Sequence, residues 1–456
     1  MKRISLFVLF ICTIFSCLSA QTGKENERIK QNYIRSIIGM DEEKQPYLQL
    51  LSKIPPEKEV SDQNVIELQQ LYPIRQEEIH RLISTIRGDG SWPDINYADT
   101  KRSGWEPKQH TERILKLTKY YAREQENVSA QEISAVVSII HQAMKYWFVQ
   151  KPVCKNWWYN QIGIPRTLGP AFLLFETEMT EKEKQEAIRV MEQSQFGMTG
   201  QNKVWLAGNV LIRGLLLNDA ELIKEARENI CSEIVLGQKE GIQPDWSFHQ
   251  HGPQQQFGNY GLTYAESVSF LIRILNGTEL EFDNNQYAIV ANMLKEGICW
   301  SVYRGVMDPS FCGRQVFINS GRGKAYSVAV AAQNMAAAGK GDSSFFDRIS
   351  DENLMPDKFP NSLIGSRYYW RSDCGIYRTS EWYASNRMIR KGQLGSNSPT
   401  GRTSTPGSLQ TERFCSCNMA MNMITFLPTG IGVVFREQQP MMTGNRSRPP
   451  IEEKTK

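Results

Sequence analysis

From about residue 27 to residue 340, apolar residues return at helical spacing, and this run constrains the fold more than any other feature of the chain. Ile133, Val136, Val137, Ile140, Met144 and Trp147 fall on one face of a 3.6-residue period, as do Ala265, Val268, Leu271, Ile272 and Leu275. Period-two alternation is scarce here. Short turn-forming stretches such as "RGDGSWPD", "LGQKEG" and "GTELEFDNN" separate the runs, and short connections leave successive helices antiparallel. About ten or more helices joined this way predict a helical toroid or solenoid. At 456 residues the chain also exceeds the size at which a single core stops growing, so two domains are expected.

The pattern changes near 341. "GDSSFFDRISDENLMPDKFPNS" is rich in polar and turn residues and suggests a linker. "SRYYWRSDCGIYRTSEWYASNRMI", 366 to 389, is dense in aromatic and β-branched residues around a Ser-Asp turn, which predicts a β-hairpin opening a β-rich domain. After Ile389 neither period persists, and the chain closes in a basic, proline-bearing tail. Either 391–456 is a disordered tail, or the reading frame has been lost and a β domain with it. The organisation expected is therefore a leader over 1–20, a helical domain over 21–345, the start of a β domain over 346–390 and an anomalous segment over 391–456.

Lys2, Arg3, the apolar "ISLFVLFICTIF" and the small pair Ser19-Ala20 have the form of a secretory signal, so the mature chain is expected outside the cytoplasm, secreted or periplasmic. Acylation at Cys17 is the alternative, which Ile14 and Phe15 fit poorly. No other stretch reaches the length of a membrane span. The net charge of +4 gives no footprint for nucleic acid. Seven cysteines follow the leader, at 154, 231, 299, 312, 374, 415 and 417, in no disulfide framework; Cys415 and Cys417 are too close for half of an ordinary zinc site. Neither a metal nor another cofactor is expected, and a monomer is the expected state.

Four clusters carry chemistry. In "NWWYNQIGIPRTLGP", Asn156 and the adjacent Trp157 and Trp158 precede a break at Gly163 and Pro165. Adjacent indoles cannot share a helix face, so one can be buried while the other meets a flat ligand such as a sugar; both being core is the plain alternative. In "TGQNKVWLAGN", Asn202 lies close to a helix expected from about Val204. It either caps that helix or turns its amide to a substrate carboxylate at the positive helix end.

The third cluster is "SFHQHGPQQQFGNYG". Here His249 and His251 alternate, so in extended chain only one can line a given cleft, and Tyr260 follows nine positions after His251. The fourth, "MDPSFCGRQVFINSGRGK", supplies Arg314 and Arg322. Arginine suits bidentate contact with carboxylate or sulfate, although an exposed arginine is the ordinary reading.

Hydrolysis of a glycosidic bond generally uses two carboxylates flanking it. Tyrosine, histidine and asparagine without such a pair fit β-elimination better: a base removes the proton next to a uronate carboxylate, an acid protonates the leaving oxygen, and donors neutralise the enolate-like charge.

Taken in order, "NWWYNQIGIPR", "TGQNK", "QHGPQQQFGNYG" and "GRQV" resemble the motifs of polysaccharide lyase family 8, over about residues 30 to 389. The resemblance implies a mainly α fold, an incomplete α/α toroid followed by an antiparallel β super-sandwich, and cleavage of chondroitin, hyaluronan or xanthan. It places His251 and Tyr260 as the catalytic histidine and tyrosine, Asn202 as the carboxylate-neutralising asparagine and Arg314 as the first site arginine. Trp157 and Trp158 fall on sugar-stacking positions, with Asn156 beside them. Where the family has a second arginine this chain has Ile318, and Arg322 is the candidate substitute. The partner implied is an anionic polysaccharide. A non-catalytic glycan-binding protein and an α/α-barrel hydrolase are the competing classes; only the lyase would release an ultraviolet-absorbing unsaturated uronate.

Overall fold

The computed structural model describes residues 23–38, 76–237, 239–312, 315 and 320–387, together with the backbone of Thr425–Phe426 and Val433–Val434. Two layers of helices alternate along the chain. Lys108–Glu124, Ile164–Phe175, Gly200–Leu217, Leu262–Leu275 and Ser320–Ala337 pack each against the next to form an inner layer. Ala130–Gln150, Glu181–Met191, Ala220–Cys231, Asn284–Asn292 and Ser343–Leu354 each cover the inner helix before them. The result is the expected mainly α architecture, an α/α toroid of helical hairpins.

Burial separates the two layers clearly at one pair of helices. Every residue of Ile164–Phe175 is buried, as befits a helix that is apolar all round, whereas Glu181–Met191 buries only Ala187, Val190 and Met191 on a single stripe. The outer helices begin at side-chain caps that satisfy orphan backbone donors. Ser129 accepts from Glu132 N, Asp219 from Leu222 N, and Thr180 with Glu183 forms a capping box. Helix 23–38 lies against the inner layer through Tyr33, whose ring meets Phe270 edge-on at 5.1 Å, and through Lys30, paired with Glu176 at 2.8 Å.

Two departures from the sequence reading matter. The stretch expected to be a linker contains the helix Ser343–Leu354, started by Asp342, which accepts from Phe345 N, and held by buried Phe345, Phe346 and Ile349. Its many polar residues suggested a loop by composition; Ser344, Asp347 and Arg348 are exposed, but Ser350, Glu352 and Asn353 are buried with the apolar face. The aromatic segment after it is a three-stranded meander rather than a single hairpin: β5 (Gly365–Tyr369), β6 (Cys374–Arg378) and β7 (Tyr383–Arg387). Asp373 adopts φ 49° in the expected Ser-Asp turn.

The short strands β8 (Thr425–Phe426) and β9 (Val433–Val434) extend this antiparallel sheet from within the 391–456 segment. The other residues of that segment, like the leader, lie outside the described residues. The sheet is seated on the helical body through polar contacts. Tyr369 Oη donates to the carbonyls of Glu296 and Gly297, each at 3.0 Å, and the buried Arg378 donates to Cys299 O at 2.9 Å.

Candidate active site

An aromatic row crosses the inner layer. Asn156 shapes its start: the side-chain amide donates to Arg102 O at 3.0 Å and its oxygen accepts from Trp158 N at 3.1 Å. Both ends of that amide therefore serve backbone, and Asn156 acts here as a brace for the turn. Trp157 is 41% exposed while Trp158 is buried, the split that adjacent residues at a helix start impose. Trp158 meets Trp205 edge-on at 5.6 Å, and Trp205 lies 6.1 Å from Tyr260. Trp205 escaped sequence reasoning, although its place three residues after Asn202, on the same helical face, was the available signal.

The His/Tyr loop hangs from a small hairpin, β1 (Gly241–Ile242) paired with β2 (Phe248–His249). The two histidines are divided between interior and surface, although not by extended chain, since His251 has left-handed backbone. His249 is buried against Ser372 Oγ at 2.9 Å, and burial holds its imidazole down to about 4. His251 is exposed, at φ 61°. Tyr260 returns to it from a π-helical turn, Phe257–Gly261, that leads into Leu262–Leu275; such wide turns recur at functional sites. The two rings stand edge to face with centroids 4.8 Å apart and planes at 88°. Lys324, buried on the neighbouring helix, donates to Gly258 O and to Gln315 Oε1, fixing the turn from beneath. Nothing in its sequence setting marked Lys324.

Asn202 sits in the first turn of the helix Gly200–Leu217, which begins four residues earlier than Val204. It is not the cap. The orphan donors are met from elsewhere: Gly200 N donates to Glu233 Oε2 at 2.7 Å and Gln201 N to Gln250 Oε1 at 3.1 Å. Asn202 Oδ1 is buried without a hydrogen-bond partner among the described residues, and so are the indole nitrogens of Trp158 and Trp205. Buried polar atoms are ordinarily satisfied; of these three residues, Trp205 is the one in ring contact with Tyr260, and Trp158 in turn meets Trp205. Gln250 and Glu240 tie the two segments together. Glu240 accepts from Thr199 Oγ1 at 2.7 Å, from Gln250 Nε2 and from Gly252 N at 3.1 Å. The loop carrying His251 is thereby bonded to the helix start carrying Asn202.

Of the two arginines singled out in the sequence, only Arg322 is described. Arg314 lies outside the described residues. Arg322 directs Nε to Tyr326 Oη at 2.8 Å and Nη1 to Gly305 O at 3.2 Å, which engages it with its own helix and the turn between β3 (Val302–Tyr303) and β4 (Val306–Met307). Arg166, not singled out from sequence, is buried with its guanidinium 5.1 Å over the Trp205 ring. Glu266 is buried too, and burial, outweighing the attraction of Arg166, pushes its carboxyl above the usual range. A cavity of about 90 Å³ is bounded by Trp205, Arg166, Glu266, Tyr33 and Asn334; neither His251 nor Tyr260 lines it. Among the described residues no group of three or more His, Cys, Asp or Glu is arranged to hold a metal ion, and no helix is long and apolar enough to cross a membrane. The five described cysteines are all unpaired, four of them buried.

Residues 56–350 match the family described as "Polysaccharide lyase family 8, N terminal alpha-helical domain", well over half of the chain. The chain belongs to polysaccharide lyase family 8. Among relatives of this family 8 chain, the chondroitinase-AC of Pedobacter heparinus is 27% identical over 239 residues, 51% of this chain and 34% of the relative. The xanthan lyase of Bacillus sp. (strain GL1) is 25% identical over 166 residues, 35% of this chain and 18% of the relative. These alignments thus span about a third or less of each relative's length. In fold, it superposes on a variant of the Streptomyces coelicolor A3 chondroitin AC lyase with TM-score 0.66 at 14% identity, covering 89% of this chain and 58% of that one. The Paenibacillus xanthan lyase gives TM-score 0.64 at 16% identity, over 80% and 37% respectively. At such identities the likeness bears on the fold, the helical toroid.

Proposed function

We propose that this family 8 chain carries the catalytic helical part of an exported lyase that cleaves a uronate-containing polysaccharide of the chondroitin, hyaluronan or xanthan class by β-elimination. The observation that carries the reading is the His251–Tyr260 ring contact at 4.8 Å, on a loop bonded through Gln250 to the helix start that bears Asn202. Names of relatives add chondroitinase-AC, hyaluronate lyase and xanthan lyase. The leader over 1–20 is the means of export.

In this reading Asn202 and His251 meet the uronate carboxylate, withdrawing charge from C5 and stabilising the enolate-like transition state. Tyr260 accepts the C5 proton, the electrons form the C4–C5 double bond, and the C4–O bond breaks as Tyr260 returns a proton to the leaving oxygen. A free phenol ionises near 10, so base action by Tyr260 near neutrality requires its phenolate to be stabilised, a role the family resemblance gives to a protonated His251 and to Arg314. With the two roles exchanged, His251 is the base and Tyr260 the acid. Trp157 offers an exposed ring to a sugar face.

The test is direct. Purified protein incubated separately with chondroitin, hyaluronan and xanthan should generate the absorbance of an unsaturated uronate from at least one. Binding without absorbance would make the chain a glycan-binding protein, and reducing ends without absorbance a hydrolase.

A further inference from the structure

The hairpin that bears the His/Tyr loop contains a second histidine whose role the lyase reading leaves open. His249 Nε2 lies 2.9 Å from Ser372 Oγ. The Ser372 hydroxyl donates to Ser247 Oγ at 2.9 Å, and Ser247 Oγ donates to Asp245 Oδ1 at 2.7 Å. A hydroxyl has one proton. With that of Ser372 directed to Ser247, Ser372 Oγ accepts from His249, so Nε2 bears the imidazole proton. A neutral ring has no second proton, and His249 Nδ1 is buried without a hydrogen-bond partner among the described residues. The chain of bonds thus runs one way, toward the carboxylate.

That carboxylate is fixed from both sides. Asp245 Oδ1 also accepts from Ser247 N at 3.0 Å, and Oδ2 accepts from Arg371 N. Arg371 Nε further donates to Gln243 Oε1 at 3.2 Å. Two consecutive residues of the β5–β6 turn, Arg371 and Ser372, are therefore bonded to the β1–β2 hairpin and the turn that joins its strands. From β2 the connection continues to the reacting groups: Gln256 N donates to Phe248 O at 2.9 Å, Gly261 N to Gln256 O at 2.8 Å, and His251 follows His249 by two residues. Burial keeps His249 neutral at ordinary pH, which preserves the direction of the bonds.

We propose that Ser372, on the β5–β6 turn, is a positioning residue for His251 and Tyr260, holding their loop through the ordered chain His249–Ser372–Ser247–Asp245. The sheet then takes part in the reaction without touching substrate. The inference rests on the lyase reading for its catalytic consequence, while its structural content stands apart from it.

The experiment uses the full chain with isotope-labelled histidine, read by NMR and by steady-state kinetics. In Ser372→Ala, the His251 ring protons should lose the shift that the Tyr260 ring current imposes. The kcat for unsaturated product should fall about 10- to 100-fold with KM within about twofold, because a displacement of about 1 Å is enough for such a loss. Ser372→Thr, which keeps the hydroxyl, should restore both. Unchanged His251 shifts with unchanged kcat would overturn the proposal, and so would a rise in KM alone, which would make Ser372 a substrate contact. Should the parent protein yield no unsaturated product from any of the three polymers, the lyase reading fails, and the His251 shift by itself decides the positioning claim. If Ser372→Ala does not fold, His249→Gln, which keeps a donor, compared with His249→Leu supplies the same contrast.

Discussion

The imidazole of His251 and the phenol of Tyr260 meet edge to face, 4.8 Å between centroids, because a left-handed residue at one end of the loop and a π-helical turn at the other bring them back together. His251 has φ 61°, a conformation that a non-glycine residue adopts only when its surroundings impose it. Removing the Tyr260 hydroxyl while keeping the ring should leave this packing intact. Tyr260→Phe is therefore expected to lower turnover by about 10²- to 10⁴-fold, the range of general acid–base catalysis. Polymer binding should stay within about threefold. Near-parental rates in the absorbance assay would reject the assignment.

Asn202→Ala separates a cap from a ligand contact. A capping asparagine replaced by alanine costs about 1 kcal/mol, but the donors at this helix start are met by Glu233 and Gln250. Urea unfolding should show a change under about 0.5 kcal/mol, while kcat/KM falls about 100-fold, the order expected for losing one donor to the developing charge.

Gly200 is required twice over. Its φ is +59°, and an added Cβ would lie 2.2 Å from Gln250 Oε1. Gly200→Ala should destabilise the fold by at least about 1 kcal/mol and, by displacing Gln250, loosen the link between the Asn202 helix and the His251 loop. Thermal melting and the absorbance assay should fall together.

The two adjacent indoles should behave oppositely. Trp158, buried between Tyr159 and Trp205, is expected to lose about 3–5 kcal/mol on replacement by alanine. Trp157→Ala, at 41% exposure, should change stability by no more than about 0.5 kcal/mol and show itself as weaker polymer binding, measured by titration with an oligosaccharide.

Acid should unfold the protein in a defined window. His110, buried between Tyr97 and Ala143 O, and His249 are each held down from 6.5 to about 4, chiefly by burial. Between pH 6.5 and 4 the unfolded chain binds more protons than the folded one, so stability is greatest above 6.5, declines as pH falls through the window, and this contribution levels off near 4. Carboxylates such as Asp94, lowered by its hydrogen bond from Arg113, add a further loss only at lower pH. Melting temperature against pH checks the sign, and His249→Gln should flatten part of the slope.

Much of the architecture was legible because helical periodicity and turn residues are local properties. For the inner Ile164–Phe175 and the outer Glu181–Met191 the layer follows from whether the helix is apolar all round or on one stripe; the polar inner helix Lys108–Glu124 shows that this does not hold for every helix. The helix Ser343–Leu354 was missed because its polar composition imitates a loop, whereas the fold buries Ser350, Glu352 and Asn353 together with Phe345, Phe346 and Ile349. Within the candidate site, the division between the exposed Trp157 and the buried Trp158 was readable from helix geometry, whereas the left-handed backbone of His251 was not.

By itself the sequence determined the helical class, the family motifs and the short list of His251, Tyr260, Asn202 and the paired tryptophans, since each depends on neighbours a few positions away. Tertiary structure alone decided that Asn202 caps nothing, that Asn156 braces backbone, that Arg322 turns to Tyr326, and that Trp205, Gln250, Glu240 and Lys324 contact the segments carrying Tyr260, His251 and Asn202. Those facts depend on hydrogen bonds and ring contacts between segments tens of residues apart, and no local period or propensity encodes which distant group will arrive to satisfy a given donor.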